Sequence, residues 1–307
     1  MDFINRIHVG NALTILKQMP DEFVNCCVTS PPYWGLRDYG IDGQLGLEKT
    51  PEEYVAKMVE VFREVRRVLR KDGTLWLNLG DSYSSPAGGQ NNFQSSTLTG
   101  GRGARDPSHI PSKKDSGLKP KDLVGIPWRV AFALQADGWW LRSDIIWAKP
   151  NPMPESVTDR PTKAHEYIFL LTKSAKYFWN QEAVREPHMD SSLRRYEYGG
   201  SGANGKPFAM QQSPRGNESG RNIRTVWTIA TQSYKEAHFA TFPEEIPERC
   251  IKAGCPEGGV VLDPFIGSGT VAKVAIRLRR QYIGIDINPK YYELAQKRKS
   301  WTQVELM

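Results

Sequence analysis

Short apolar runs alternate with amphipathic stretches along most of the chain. This is the pattern of buried strands that are separated by helices, and such strands are predicted at 24–28, 74–79, 139–147, 165–172, 260–262 and 281–285. Continuous apolar runs are typical of strands that are covered on both faces. The alternation therefore predicts an α/β fold with a doubly wound, mainly parallel, Rossmann-like sheet.

The clearest helix begins after Thr50. This residue has the position of an N-cap, Pro51 suits the first helical position, and Glu53 completes a capping box. Apolar residues then recur at helical spacing, and Asp72-Gly73 is expected to end the helix. Further helices are predicted at 122–136, at 244–253, after Thr270 and after Asn288-Pro289.

Two long polar segments interrupt the pattern. Residues 82–120 and 185–224 are rich in glycine and serine and contain few apolar residues, so they cannot bury enough surface to fold alone. Both are basic, with a net charge of +4 over 101–121 and of +3 over 185–224. Such segments suit contact with a phosphate backbone, and an insertion without function is the alternative at 82–120.

Composition narrows the class of protein further. A chain of 307 residues suits one large domain, and its net charge of +7 favours a polyanionic partner, with solubility as the alternative. The four cysteines form no CxxC pair, so neither a metal site nor a disulfide framework is expected. The chain shows neither an apolar run of membrane-spanning length nor a signal sequence, which predicts a cytoplasmic protein.

Two motifs follow predicted strands and carry the candidate chemistry. Ser30-Pro31-Pro32-Tyr33 follows the 24–28 run, and Asp263-Pro-Phe-Ile-Gly-Ser-Gly-Thr270 follows the 260–262 run. Ligands of open α/β sheets bind beyond the carboxyl ends of strands, so both motifs are expected to face one crevice.

The first motif suits the activation of an amino group. Consecutive prolines fix the backbone, so that the Pro31 carbonyl and the Ser30 hydroxyl can both accept hydrogen bonds from one amine. The nitrogen lone pair of that amine would then be drawn out of conjugation, and Tyr33 offers a flat face for a base. A rigid proline turn is the alternative.

The second motif suits a nucleoside. A glycine loop between strand and helix lets a ligand approach the backbone, and Asp286, at the end of the next strand, has the position of a ribose ligand. The loop has only Gly267-x-Gly269 and no third glycine. The pattern therefore indicates a nucleoside cofactor without a diphosphate.

Together the two motifs resemble the amino-group DNA methyltransferases, whose catalytic signature is (Asp/Asn/Ser)-Pro-Pro-(Tyr/Phe). Because the catalytic motif precedes the cofactor motif, the resemblance is to the permuted, beta-class enzymes, which methylate N4 of cytosine or N6 of adenine. It implies S-adenosyl-L-methionine as cofactor, double-stranded DNA as partner and a flipped target base. A cognate restriction endonuclease and a homodimer are partners that the resemblance leaves open, and it implies no metal.

The resemblance also assigns roles to residues. The catalytic residues are Ser30, Pro31, Pro32 and Tyr33. The cofactor residues are Asn11, where the family usually has Asp, and Asp263, Phe265, Gly267, Gly269, Thr270 and Asp286, with Asp263 near the methionine end. Trp147, Lys149 and Asn151 resemble a family motif beside the target base. Further candidate contacts to the base or DNA come from the sequence itself: Trp34 and Arg37 in the loop after the first motif, and Arg194 and Arg195 in the basic 185–224 segment.

The resulting organisation is a single methyltransferase domain with an inserted recognition segment. Residues 1–184 form its catalytic part, residues 185–237 the target-recognition segment and residues 238–307 its cofactor-binding part. The Ser form of the motif occurs mainly among N4-cytosine enzymes, so N4-cytosine methylation is predicted, with N6-adenine as the alternative. Further alternatives are methylation of RNA, of a protein amide or of a small molecule, and a catalytically silent DNA-binding protein.

Overall fold

One sheet runs through the described part of the chain. The computed structural model describes residues 2–36, 38–84, 117–188, 219–232 and 242–305. The strands of these residues are β1 (Arg6–Val9), β2 (Val24–Thr29), β3 (Leu69–Leu79), β4 (Trp140–Ala148), β5 (His165–Thr172), β6 (Val226–Thr228), β7 (Val260–Asp263) and β8 (Gln281–Asp286). Their order across the sheet is β1-β8-β7-β2-β3-β5-β4-β6. Neighbours pair in parallel except at β5, which is antiparallel to both β3 and β4.

Helices cover both faces of this sheet. They are α1 (Ala12–Leu16), α2 (Pro51–Val68), α3 (Ile126–Ala136), α4 (Glu245–Gly254), α5 (Thr270–Arg277) and α6 (Pro289–Glu305). Buried side chains of α1, α2 and α3 form one core with Leu75 and Leu77, and those of α4, α5 and α6 form the other with Trp76. Because successive strand residues point to opposite faces, β3 contributes to both cores. The predicted doubly wound α/β fold is confirmed.

Helix α2 begins where the sequence predicted and ends earlier than predicted. The Thr50 hydroxyl accepts a hydrogen bond from the Glu53 amide at 3.2 Å, and Pro51 is the first helical residue. The predicted end at Asp72-Gly73 was wrong, because Leu69 is already extended and begins β3. Leu69 is fully buried and pairs with Val24, so strand pairing outweighs the helical periodicity at this point.

The short strand β6 was not predicted. It lies within the 185–237 segment and pairs in parallel with β4 at the edge of the sheet. Of its three residues only Trp227 is buried, so the sequence carries too little apolar pattern to reveal a strand.

The described residues next to each polar segment form an antiparallel bridge. Tyr83 pairs with Leu123 at the base of the first segment, and Glu186 pairs with Arg221 at the base of the second. A Cβ at Gly220 would lie 2.3 Å from the Glu186 carbonyl oxygen, so this bridge requires glycine. Residues 85–116 and 189–218 themselves lie outside the described residues.

All four cysteines belong to the core. Cys26, Cys27, Cys250 and Cys255 are buried and free, in agreement with their role as small core residues. Among the helices of the described ranges, none combines the length and the apolar content that crossing a bilayer requires.

Candidate active site

The crevice forms where the strand order reverses, between β2 and β7. The chain proceeds outward from β2 to β3 on one side and from β7 to β8 on the other. At the carboxyl ends of the two strands the Thr29 hydroxyl donates to Asp263 Oδ1 at 2.7 Å. The predicted neighbourhood of the two motif-bearing strands is therefore confirmed, and it places the crevice at a topological switch point.

A cavity of about 340 Å³ occupies this crevice. Its wall brings together the two motifs and the end of β8, which are far apart in sequence. The predicted site residues that line it are Asn11, Ser30, Pro32, Asp263, Phe265, Gly267, Thr270 and Asp286. Ser30 and Gly267 thus share one cavity, as expected, while Pro31 between Ser30 and Pro32 is buried.

Asp286 is held by backbone amides. Its Oδ1 accepts from the Asn288 amide at 2.7 Å and its Oδ2 from the Gly267 amide at 2.9 Å. Burial raises the pKa of Asp286 to about 6, and these two hydrogen bonds act in the opposite direction. Each carboxylate oxygen accepts more than one hydrogen bond, so hydroxyl groups of a ligand can be accommodated as well.

Asp263 lies deeper in the same wall. Besides the Thr29 hydroxyl, the Phe265 amide donates to its Oδ1 at 3.0 Å. Burial raises the pKa of Asp263 to about 7, and the nearby Asp286 adds to the shift. A cationic ligand would favour the charged form of both carboxyl groups.

The glycine loop leads directly into α5. Gly269 has φ +83° and precedes Thr270, and a Cβ on Gly269 would lie 2.9 Å from that of Ala295 in α6. Glycine is needed at this turn both for its conformation and for the close approach of the two helices.

Asn11 has a capping role that its residue type explains. Its side-chain oxygen accepts from the Thr14 amide at 3.2 Å and so caps α1. Asn and Asp are both good N-cap residues, so the Asn found here keeps the turn that Asp would form.

The glycine-rich loop after the first motif forms part of the cavity wall. Tyr39, Gly43, Gln44 and Leu45 line the cavity, and the Gln44 side chain accepts from the Tyr39 amide at 2.8 Å. Trp34 is 1% exposed and donates to the Glu48 carbonyl, so its ring presents no face to DNA in this structure. Arg37 lies outside the described residues.

Behind Ser30, on the β3 and β5 side of the crevice, Tyr33 joins a group of polar side chains whose members do not themselves line the cavity. The Ser30 hydroxyl donates to Tyr33 Oη at 3.3 Å, and Tyr33 donates to Glu166 Oε2 at 2.7 Å. Asn78 donates to the same Glu166 oxygen at 3.1 Å. Lys149 forms an ion pair with Glu166 Oε1. Burial, and then the nearby Glu166 carboxylate, raise the pKa of Tyr33 well above its usual range.

Gly80 determines where the Tyr33 ring lies. A Cβ at residue 80 would lie 2.5 Å from Cε2 of the ring. The residue that follows β3 therefore has to be glycine for the ring to rest against the backbone.

The remaining predicted contacts surround this group. Trp147 is 4% exposed, donates to the Ile229 carbonyl at 2.8 Å and lies under the Lys149 ammonium, 4.3 Å from the ring centroid. Asn151 accepts from the Thr231 amide at 2.9 Å and so connects to the segment after β6. The predictions for Arg194 and Arg195 lie outside the described residues.

Glu166 and Asn78 were missed by the sequence reasoning. Each is a polar residue in a run that was correctly predicted as a strand, and that was the available signal. Their convergence depends on the reversed direction of β5, which brings its amino end to the edge where the other strands end. In the described ranges no group of three or more His, Cys, Asp or Glu is arranged to hold a metal ion.

The fold and this cavity together define a Rossmann-like methyltransferase, and comparison with known proteins identifies the family. Residues 24–297 match the N6/N4 DNA methylase family, and the chain belongs to it. The type II methyltransferase M.Cfr9I of Citrobacter freundii is 48% identical over 94% of this chain and 85% of its own. M.SmaI of Serratia marcescens is 46% identical over 95% of this chain and 90% of its own.

Solved structures show the same fold. The PvuII DNA methyltransferase, described as cytosine-N4-specific, superposes with a TM-score of 0.64 at 18% identity and covers 97% of this chain and 89% of its own. TTHA0409, described as a DNA modification methylase of Thermus thermophilus, was solved with S-adenosyl-L-methionine. It superposes with a TM-score of 0.61 at 24% identity and covers 97% of this chain and 94% of its own. The chain is thus an S-adenosyl-L-methionine-dependent DNA methyltransferase of the N6/N4 family, and the expectations for family, fold and cofactor are confirmed.

Proposed function

We propose that the protein transfers a methyl group to N4 of a flipped cytosine in double-stranded DNA. The observation that carries this proposal is the position of Ser30. Ser30 lines the cavity and its hydroxyl gives its proton to Tyr33, so the lone pairs of its oxygen are available to accept from an amine. The hydrogen bond to Tyr33 fixes the direction of the Ser30 hydroxyl, which could otherwise either donate to the amine or accept from it.

The residues of the cavity fit S-adenosyl-L-methionine. Two buried carboxyl groups with raised pKa values, Asp263 and Asp286, suit a ligand that carries a sulfonium and an ammonium group. Asp286 would hold the ribose hydroxyls, Phe265 would pack on the adenine, and Asp263 would face the methionine end. When bound, the cofactor supplies an electrophilic methyl group.

The other side of the cavity would hold the target base. A base within a duplex hides its amino group, so it must leave the stack to enter the cavity. Ser30 and the Pro31 carbonyl would accept the two amino protons, and Tyr33 would stack on the ring. Positioning and two acceptors suffice for direct transfer, which needs no covalent nucleophile. Carbon-5 methylation, in contrast, needs a thiolate, and burial raises the pKa values of Cys26 and Cys27 well above their usual range.

The choice of cytosine over adenine rests on Ser30. The serine form of the motif is found mainly among N4-cytosine enzymes, and a hydroxyl is a smaller acceptor than a carboxylate or an amide. N6-adenine is the second candidate, because an adenine amine could use the same acceptors.

The experiment that tests the proposal compares substrates and then identifies the product. The purified chain would be incubated with labelled cofactor and DNA duplexes, RNA duplexes or peptides, and the nucleosides of the labelled product would be separated by mass spectrometry. We expect label in DNA only, as N4-methyl-2′-deoxycytidine. A product of N6-methyl-2′-deoxyadenosine would overturn the choice of base, and label in RNA or peptide alone would overturn the DNA assignment.

We further propose that the chain consists of a catalytic part at 1–184, a recognition segment at 185–237 and a cofactor-binding part at 238–307. The recognition segment would largely determine which DNA sequence is bound. Replacing Arg194 and Arg195 by Ala should weaken DNA binding at low salt. The slope of log K against log salt should fall by about 0.9 for each phosphate that is no longer neutralised. An unchanged salt slope, measured by titration with a labelled duplex, would direct attention to the 82–120 segment instead.

The similarity to type II methyltransferases is also the reason to propose a cytoplasmic enzyme with a cognate restriction endonuclease. A homodimer is a further proposal, which sedimentation of the purified chain would test; a monomer at all concentrations would contradict it.

A further inference from the structure

A row of hydrogen bonds leads from the cavity into the protein on the side away from Asp263 and Asp286. It begins at Ser30, which lines the cavity, and continues through Tyr33 Oη at 3.3 Å to Glu166 Oε2 at 2.7 Å. Two hydroxyl groups thus connect the position of the target amine with a carboxylate.

Neighbouring groups fix which atom donates in each hydrogen bond of this row. Tyr33 has one proton and two acceptors within reach, Glu166 at 2.7 Å and Asn78 Oδ1 at 3.2 Å. The Asn78 amide group donates to Glu166 Oε2 and to the Tyr167 carbonyl, both at 3.1 Å, so its orientation is set. The shorter bond takes the tyrosine proton to Glu166, and a lone pair of Tyr33 then receives the proton of Ser30.

The carboxylate at the end of the row lies beside basic side chains. The Lys149 ammonium pairs with its second oxygen, and the glutamate side chain is 17% exposed. The titratable groups that face it are Tyr33, Lys149, Lys163 and His165. Two of these are lysines, and one of them, Lys149, is the direct ion-pair partner of Glu166.

We propose that Glu166 receives, through Tyr33 and Ser30, the charge-balancing proton of the methyl transfer. The inference rests on the proposed function and deepens it. As the amine nitrogen bonds to the methyl carbon and the carbon–sulfur bond breaks, one amine N–H bond breaks as well. Its proton passes to Ser30 Oγ, the serine proton passes to Tyr33 Oη, and the tyrosine proton passes to Glu166 Oε2.

The products balance this step. The amine ends neutral and methylated, the two hydroxyl groups are restored, and Glu166 is neutral until it releases its proton to solvent. The high pKa of Tyr33 fits a group that passes a proton on while remaining protonated itself. The family signature also accepts Phe at the position of Tyr33, so the relay is a property of this chain and not a requirement of the family.

The test uses the full chain with DNA and cofactor, in single-turnover methylation measured across pH. Tyr33→Phe keeps the ring and leaves the pairs of Glu166 with Lys149 and Asn78 in place. Glu166→Gln removes the charge of the acceptor. Glu248→Gln is the matched control, because Glu248 is also an ion-paired glutamate but lies on α4, where it contacts Lys252 and Arg277.

We expect Tyr33→Phe and Glu166→Gln each to lower the single-turnover rate constant about 10²-fold, the lower end of what acid–base catalysis contributes. Affinities for cofactor and DNA should stay within about threefold of the wild type, since no binding contact is removed. The wild-type rate should fall as Glu166 becomes protonated at low pH, and this decline should be absent in Glu166→Gln. The control should match the wild type.

A wild-type rate in Tyr33→Phe would overturn the relay, even if Glu166→Gln were inactive, because Glu166 would then act only in packing. If Glu166→Gln does not fold, Tyr33→Phe alone decides the question. Failure of the wild-type chain to methylate DNA is a different result, which contradicts the proposed function.

Discussion

The two sides of the cavity are built in different ways. On the proposed cofactor side, three backbone amides and the Thr29 hydroxyl hold Asp263 and Asp286. The Phe265 and Asn288 amides lie only two residues away from the carboxylates in sequence, and only the Thr29 side chain comes from a distant strand. On the target side, Tyr33 is held by side chains of Asn78 and Glu166, which are 45 and 133 residues away. One side is thus shaped by local turns and the other by side chains from separate strands.

This difference determines how each side responds to substitution. A carboxylate held by two amides has oxygens left for a ligand, so its loss should affect binding first. A hydroxyl held by other side chains depends on every member of its group, so a change in any member should affect the geometry of the transfer step.

On the cofactor side, the largest effect is expected for Asp286→Ala. Hydrogen bonds to charged groups contribute about 1.5–3 kcal/mol, so S-adenosyl-L-methionine binding should weaken about 10- to 100-fold in calorimetry while the fold is retained. Asp286→Asn, which keeps one acceptor oxygen, should lose less. Exposed Glu257→Ala serves as the control, and unchanged affinity in Asp286→Ala would remove the assigned role.

A smaller effect, confined to the target side, is expected for Gly80→Ala. The new methyl group would meet the Tyr33 ring at 2.5 Å, and overpacking of this kind costs about 1–3 kcal/mol of stability. Methyl transfer should slow as the ring moves, while cofactor affinity stays constant. Gly258→Ala is the control. Residue 258 has φ +70° and no atom lies within 4 Å of the added Cβ, so this variant introduces backbone strain without a clash. Equal transfer rates in the two variants would contradict the role of Gly80.

The smallest effect concerns pH and is confined to the cofactor side. Asp286 and Asp263, with pKa values of about 6 and 7, are charged mainly above those values, and a cationic cofactor favours the charged forms. Affinity measured by calorimetry should therefore fall about tenfold from pH 8 to pH 5. In the absence of cofactor, low pH has the opposite effect, because it increases the stability of the folded protein. Because folding raises both pKa values, the free energy of unfolding from these two groups increases as pH falls from about 7 towards 4. A flat affinity profile would argue against both carboxylates as ligands.

The sequence could predict most of the wall around Asp263 and Asp286, because most of its contacts are local and only the Thr29 hydroxyl comes from a distant strand. The strand, glycine loop and following acid occur in one stretch, and Gly267 and Asp286 lie where that spacing implies. The target side was predicted only as far as Ser30 to Tyr33. Glu166 remained hidden because its contact with Tyr33 depends on the direction of β5, and a strand that is covered on both faces shows a continuous apolar run in either direction. Similarly, Trp34 was expected near the target base, but the adjacent loop folds over it and buries it.

The most direct test of the central claim is Ser30→Ala, examined for both cofactor binding and single-turnover methylation of DNA. Ser30 contacts the cavity from the target side and pairs with Tyr33, so its loss should leave the affinity for S-adenosyl-L-methionine unchanged. Methyl transfer should fall at least about 10²-fold, as when one hydrogen-bonding group of a transition state is removed. A variant that transfers the methyl group at the wild-type rate, or one that loses cofactor binding and transfer in equal measure, would contradict the division of the cavity into a cofactor side and a target side.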